Sequence, residues 1–77
     1  MPNRLFDILA EVCKEVERAQ QKHPTPMRSG HEGYAILKEE VDELWAEIKA
    51  DRDDELTRKE AVQVAAMAVR FLHDLFR

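Results

Sequence analysis

The chain has 77 residues, a formal net charge of −4 and one cysteine, Cys13. A chain of this length forms a single domain and buries only a little over roughly 60% of its unfolded surface, so we expect its core to need support from a partner. A single cysteine excludes an internal disulfide and a Cys/His zinc cage. The negative net charge and the scattered basic residues argue against a nucleic-acid polymer or an anionic membrane as the main partner.

The first predicted element is an amphipathic helix over residues from about 4 to 22. Asn3 is its predicted N-cap. The segment after it, HPTPMRSG, contains two prolines and a glycine, which cannot continue a helix. Apolar residues recur along the helix at steps of three and four positions, namely Leu5, Ile8, Leu9, Val12, Val16 and Ala19.

The second predicted helix runs from about residue 31 to about residue 50. Ser29 and Glu32 have the spacing of a capping box, in which the Ser29 side chain accepts a hydrogen bond from the Glu32 amide and the Glu32 carboxylate reaches back. The helix carries an apolar seam at the spacing of a bundle helix, formed by Tyr34, Leu37, Val41, Leu44 and Ile48.

The third predicted helix, from about residue 54 to about residue 76, is apolar over more than half of its circumference. Such a helix needs cover on more than one side, and two short helices of the same chain do not provide enough. We therefore predict that it lies at a subunit interface. The chain has no strand-like alternation, so the predicted fold is all-α, a three-helix protomer that forms a dimeric helical bundle.

Carboxylates follow one side of the second helix, next to its apolar seam. At 100° per residue, Glu43 lies about 60° and Glu47 about 20° from the direction of Glu40. Like charges at this spacing repel by a few tenths of a kcal/mol per pair unless a cation lies between them. Two interpretations are open, a solvated acidic face and a magnesium site built from carboxylate ligands.

An acidic residue and an amide, Glu60 and Gln63, lie three positions apart on the apolar third helix. The place of Glu60 in the helix depends on where the helix begins, and two starts are compatible with the sequence. If the helix begins at Thr57, Glu60 is the return arm of a capping box. If Asp53 or Asp54 caps the helix a turn earlier, Glu60 lies inside it and shares a face with Gln63.

The order of these polar pairs resembles the MazG-like family of all-α nucleoside triphosphate pyrophosphohydrolases, whose members carry E-x-x-E on one helix and E-x-x-D on the next. Here the pairs are Glu40 with Glu43 in HEGYAILKEEVDELWAEI and Glu60 with Gln63 in KEAVQVAAMAVRFLHDL. The resemblance covers nearly the whole chain. It implies one MazG-like domain over residues 1–77, assembled as a homodimer or a dimer of dimers.

The resemblance also implies an activity, the magnesium-dependent hydrolysis of a nucleoside triphosphate or a related nucleotide to its monophosphate and pyrophosphate. By motif position, the ligands of Mg²⁺ or Mn²⁺ are Glu40, Glu43 and Glu60, with Gln63 at the fourth position. We expect Glu39, a spare carboxylate, to orient or deprotonate the attacking water, so the catalytic set is Glu39, Glu40 and Glu43. A divalent cation suits an acidic protein because it neutralises the phosphates.

Gln63 departs from the family pattern, which has aspartate at this position. An amide oxygen can ligate a hard cation but brings no charge, so we expect the site to hold magnesium more weakly. Three outcomes are open. Gln63 is a neutral ligand or substrate contact, or Asp74 or Glu39 replaces the missing aspartate, or the chain is a MazG-like interaction module that no longer hydrolyses anything.

Three further residues are predicted to contact the nucleotide. Arg70 is predicted to bind a phosphate, and His31 and Trp45 are predicted to stack on the base. Each has a structural alternative, which is an interface salt bridge for Arg70, helix capping for His31 and ordinary packing for Trp45. No apolar stretch has the length of a signal peptide core or a membrane span, so we expect no membrane partner and a cytoplasmic location.

Overall fold

The computed structural model describes residues 3–76, which form three α-helices and no strand. They are α1 (Arg4–Lys22), α2 (Gly30–Ala50) and α3 (Asp54–Leu75). The predicted all-α class and the three predicted helices are therefore confirmed, with helix ends that differ from the expected ones by at most one residue. None of these helices combines the length and the apolar character that crossing a membrane requires.

Each helix begins at a side-chain cap. Asn3, Ser29 and Asp53 have extended backbones, and their side chains accept hydrogen bonds from amides of the first helical turn. The carboxylate of Glu32 does reach back at the start of α2, but to the amide of Arg28, one residue before the cap, at 3.1 Å. These local bonds satisfy amides that have no partner within the helix.

The start of α3 decides where Glu60 lies. Asp53 caps the helix and its carbonyl accepts a hydrogen bond from the amide of Thr57, so Thr57 is already part of the first turns. The alternative in which α3 begins at Thr57 is therefore wrong. Glu60 lies inside the helix, one turn before Gln63 on the same face.

The central helix is α3, because α1 and α2 each pack against it and not against each other. Residues 23–29 connect the two flanking helices, and residues of all three helices line a cleft. The small core lies mostly between α1 and α3, and its buried apolar residues are Val12, Val16, Met27, Ala66 and Met67.

Gly33 permits α2 and α3 to approach closely near this connection. A Cβ atom at position 33 would lie 2.5 Å from a ring carbon of Phe71 and 3.1 Å from the sulfur of Met27. Both distances are shorter than ordinary packing contacts, so a larger residue would push the two helices apart. The missing side chain of Gly33 thus fixes where α2 crosses α3.

Much apolar surface remains exposed in the protomer. Of the seam predicted on α2, Tyr34, Val41 and Ile48 point outward, and no large side chain in residues 3–76 is fully buried. The radius of gyration is 13.3 Å, compared with about 11.5 Å for a compact domain of this length. On α3 the exposed large apolar residues are Leu56, Val69 and Leu72, followed by Phe76 at its end.

Candidate metal site

Three carboxylates from two helices meet in the cleft. Glu40 and Glu43 come from α2 and Glu60 comes from α3, and the oxygen atoms that they offer all lie within 4.8 Å of one another. One helical turn separates Glu40 from Glu43, so both can reach the same side of α2. Within residues 3–76 this is the single group of three or more His, Cys, Asp or Glu side chains that come so close.

This acidic cluster, Glu40 with Glu43 and Glu60, has little compensating charge, since the positive charge of Lys59 only partly offsets the rise in the pKa of Glu60. The Oε2 atoms of Glu40 and Glu60 are buried and accept no hydrogen bond. Burial raises the pKa of the Glu40 carboxyl, and the charges of Glu43 and Glu60 raise it further. Burial also raises the pKa of Glu60, followed by the charge of Glu43. Buried carboxylates are normally paired, so this cluster favours either a proton or a cation among its oxygens.

The donor set fits a hard divalent cation. Magnesium binds oxygen ligands at 2.0–2.1 Å in an octahedron, which places opposite ligands about 4 Å apart. The oxygens of the acidic cluster lie within 4.8 Å of one another, which is slightly beyond the largest separation of two ligands on one such ion. Three carboxylates leave coordination positions for water and for substrate oxygens, and Mn²⁺ suits the same ligands.

Glu47 continues the acidic side of α2, and the chain itself partly neutralises it. Its Oε1 accepts a hydrogen bond from the guanidinium of Arg52, whereas its Oε2 is buried without a partner. The charge of Glu47 contributes to the raised pKa of Glu60 after burial and the nearer carboxylate. Glu47 therefore adds to the negative potential behind the acidic cluster.

The acidic cluster forms part of the wall of a cleft of about 540 Å³ between α1 and α2. This volume is in the range of small-molecule sites. The cleft is acidic along α2 and carries basic side chains at its other edges, which suits a ligand whose anionic groups contact both a cation and basic residues. The basic lining residues, which the sequence motif does not contain, are Arg18, Lys22, Lys59 and Arg70.

Glu39, the residue predicted to act on the attacking water, also lines the cleft. It is exposed, and it lies outside the group whose oxygens come within 4.8 Å of one another. Its charge makes a small contribution to the raised pKa of Glu40. Glu39 is thus next to the acidic cluster, and its catalytic role stays a prediction.

Gln63 lies in the cleft, and its side chain contacts α1. Its Nε2 donates a hydrogen bond to Oε1 of Glu15. Glu15 also lines the cleft, and its side chain is 16% exposed. The two residues are 48 positions apart in the chain, so no local spacing indicates this contact. The structure therefore adds Glu15 to the predicted set, and the role of Gln63 as a metal ligand stays a prediction.

Arg70 is buried and fixes the connection between α1 and α2. Its guanidinium donates to the backbone oxygens of Ala19, His23 and Thr25 and to the carboxylate of Asp74. These bonds use four of the five N–H groups of the side chain. The group predicted to bind a phosphate is therefore occupied by the chain itself, and its ion pair lies within the protomer.

Asp74, considered above as a replacement for the missing aspartate, lies at the other end of α3. Fourteen positions separate it from Glu60, which is about 21 Å along a helix. Its carboxylate accepts hydrogen bonds from the amide of Met27 and from Arg70, and it contacts the ring of His73. The alternative that places Asp74 in the acidic cluster is therefore wrong.

The two residues predicted to stack on a base lie outside the lining of this cleft. His31 is exposed in the first turn of α2. Trp45 is 55% exposed, and the Nζ atom of Lys49 lies 5.6 Å from its ring centroid. Within the protomer, neither side chain reaches the acidic cluster.

Comparisons of the chain with models of protein families, with curated proteins and with solved structures gave no match.

Proposed function

We propose that this chain is a MazG-like pyrophosphohydrolase that binds Mg²⁺ or Mn²⁺ through Glu40, Glu43 and Glu60. Its proposed reaction is the hydrolysis of a nucleoside triphosphate, or a related nucleotide, to the monophosphate and pyrophosphate. The observation that carries the proposal is the convergence of three carboxylates within 4.8 Å, two of which have buried oxygens without a partner. Such a group is costly unless a cation compensates it.

The residues around the acidic cluster provide the groups that this hydrolysis needs. The cation, when bound, supplies positive charge to the phosphate oxygens and lowers the pKa of a coordinated water. Glu39 accepts the proton of the attacking water, whose oxygen forms a bond to the α-phosphorus while the bond to the bridging oxygen breaks and pyrophosphate leaves. Arg18 and Lys59 line the same cleft and supply positive charge to the phosphates.

The exposed apolar faces support the proposed assembly as a homodimer or a dimer of dimers. The stripe on α2 consists of Tyr34, Val41, Trp45 and Ile48, which are 44–62% exposed. Their spacing of three, four and seven residues is that of a helix packed along another helix. An exposed apolar stripe of this kind on a small protein is typical of an interaction surface.

Light scattering of Ile48→Lys tests this interface. A lysine within the stripe would be buried at the interface without a counter-charge, so we expect the variant to be monomeric at concentrations where the wild type is a dimer. Ala46→Lys is the control, because it adds the same charge to an exposed position about 160° around the helix from Ile48. A folded wild-type monomer at these concentrations would contradict the proposed dimer.

Pyrophosphate release from a panel of standard and modified nucleotides, with Mg²⁺ or Mn²⁺, tests the proposed reaction. Glu43→Gln removes one ligand charge and should lower turnover by at least about 100-fold, because even indirect partners of a metal contribute 10–100-fold. Asp42→Asn is the matched control, since Asp42 pairs with Lys38 outside the cleft. No release from any nucleotide, or unchanged turnover in Glu43→Gln, would refute the hydrolase.

A non-catalytic MazG-like helical module is the second candidate, and Gln63 is the residue that favours it. This position brings no charge, and its amide is bonded to Glu15. This candidate, an interaction module with a degenerate metal site, predicts a dimer that releases pyrophosphate from no member of the panel. The same assay with the wild type therefore separates the two candidates.

A further inference from the structure

Glu15 is a fourth carboxylate of the cleft, and it comes from a helix that the sequence motif does not include. Its side chain is 16% exposed, and its partner in the nearest ion pair is Arg18, at 3.5 Å. The Arg18 side chain is 72% exposed, so this pair contributes little. Glu15 thus brings a negative charge to the cleft that the chain compensates only weakly.

Gln63 determines where the carboxylate of Glu15 lies. Its amide nitrogen donates to Oε1 of Glu15, which requires a donor at position 63. An aspartate there would only accept hydrogen bonds and would repel Glu15. The amide is therefore matched to its acidic neighbour on α1, which gives a physical reason for a glutamine at this position.

A second contact secures α1 at this level of the cleft. Arg58 of α3 donates two hydrogen bonds, of 2.6 and 2.7 Å, to the carboxylate of Glu11. Glu11 precedes Glu15 by four positions, about one helical turn. Because α1 and α2 do not pack against each other, the position of Glu15 relative to the acidic cluster depends on α3, through these two contacts and the apolar core between α1 and α3.

We infer that Glu15 brings a further negative charge from α1 to the cation site and that Gln63 is the residue that positions it. The inference rests on the proposed function, since it concerns the same site. Glu15 lies outside the group of oxygens within 4.8 Å, so it would accept hydrogen bonds from water bound to the cation and would not ligate the cation itself.

A titration of the full chain with Mn²⁺, without nucleotide, tests the charge of Glu15. Glu15→Gln keeps the size of the side chain, and we expect it to weaken Mn²⁺ binding by about 10-fold or more. Glu17→Gln makes the same charge change two positions further on, at an exposed site outside the cleft, and should stay within about two-fold of the wild type.

The outcomes of this titration separate the inference from the proposed function. If Glu15→Gln and Glu17→Gln bind Mn²⁺ equally well, Glu15 is not part of the site, whereas the wild-type site itself stands. If the wild type shows no saturable binding, the proposed cation site is refuted and the role of Glu15 is refuted with it.

The role of Gln63 is tested by exchanging the hydrogen-bond donor and acceptor between positions 63 and 15. Gln63→Met removes the donor at similar length and should weaken Mn²⁺ binding, because the Glu15 carboxylate then loses its hydrogen bond from α3. The double variant Glu15→Gln with Gln63→Glu keeps a donor opposite an acceptor and returns the lost charge, so its affinity should recover to within about three-fold of the wild type. A double variant no better than Glu15→Gln would overturn the inference, provided that circular dichroism shows both to be folded.

Discussion

Charged side chains enter the interior at both ends of the cleft, and the chain treats the two ends differently. Near the end of α3, Arg70 and Asp74 pair at 3.2 Å and bond to the backbone of the connecting segment. Near its start, Glu40, Glu43 and Glu60 bring like charges together and leave two oxygens unpaired. A completed polar network indicates a structural role, whereas an incomplete one indicates a missing ligand.

The pKa values at the two ends move in opposite directions. Burial alone would raise the pKa of Asp74, but hydrogen bonds from His73, from the amide of Met27 and from Arg70 outweigh it and lower the pKa. Burial, followed by a neighbouring carboxylate, raises the pKa of Glu60. The charge on Asp74 therefore stabilises the fold, and the charge on Glu60 destabilises it in the absence of a cation.

The largest effect on stability is expected at the end of the cleft where Arg70 and Asp74 form a complete polar network. Arg70→Met leaves Asp74 buried without its counter-charge and should lower the free energy of unfolding by about 3–5 kcal/mol in urea denaturation. Arg58→Met is the control, because its partner Glu11 lies at the surface and the loss should be at most about 1 kcal/mol. Equal losses in the two variants would show that Arg70 does not organise this end of the molecule.

The second largest effect on stability is expected from the close packing of α2 on α3 at the same end of the cleft. Gly33→Ala places a Cβ atom 2.5 Å from the Phe71 ring, and we expect it to lower the free energy of unfolding by about 1–3 kcal/mol despite the better helix propensity of alanine. Gly30→Ala, in the same helix, meets no atom within 4 Å and should be neutral or slightly stabilising. A neutral Gly33→Ala would mean that α2 and α3 pack less closely than described.

The smallest effect, of opposite sign, is expected at the acidic cluster. In EDTA, Glu60→Gln should raise Tm by roughly 2–4 °C near pH 7.5, the equivalent of about 0.5 kcal/mol. Because folding raises the pKa of Glu60, the protonated carboxyl favours the fold at low pH, and this contribution is lost as the pH rises through the folded-state pKa. The gain should therefore disappear near pH 4, and a gain independent of pH would contradict the stated cause.

The features that depend on local sequence were predictable. The caps Asn3, Ser29 and Asp53 act on amides two or three positions away, so their residue types and spacing suffice to place the helix starts. Helix periodicity likewise predicts that Glu40 and Glu43 lie one helical turn apart on the same side of α2. The contact of Glu60 with this pair depends in addition on the packing of α2 against α3, which local sequence does not specify.

The features that depend on packing were not predictable. The bond from Gln63 to Glu15 and the bonds from Arg70 to the connecting segment join positions 45 or more apart, and only the packing of α1 on α3 creates them. The outward direction of Trp45 likewise follows from the rotation of α2, which its crossing with α3 at Gly33 fixes. Periodicity defines the faces of a helix but not which neighbour each face meets.

The central claim is that the acidic cluster binds a divalent cation, and paramagnetic broadening of backbone amide signals by Mn²⁺ tests it most directly. Substoichiometric Mn²⁺ should first broaden the signals around Glu40, Glu43 and Glu60, and should spare those around Asp74, about 21 Å along α3 from Glu60. The exposed acidic run DRDDE, residues 51–55, provides an internal comparison. Broadening that is centred on this run, or spread evenly over all acidic residues, would contradict the claim.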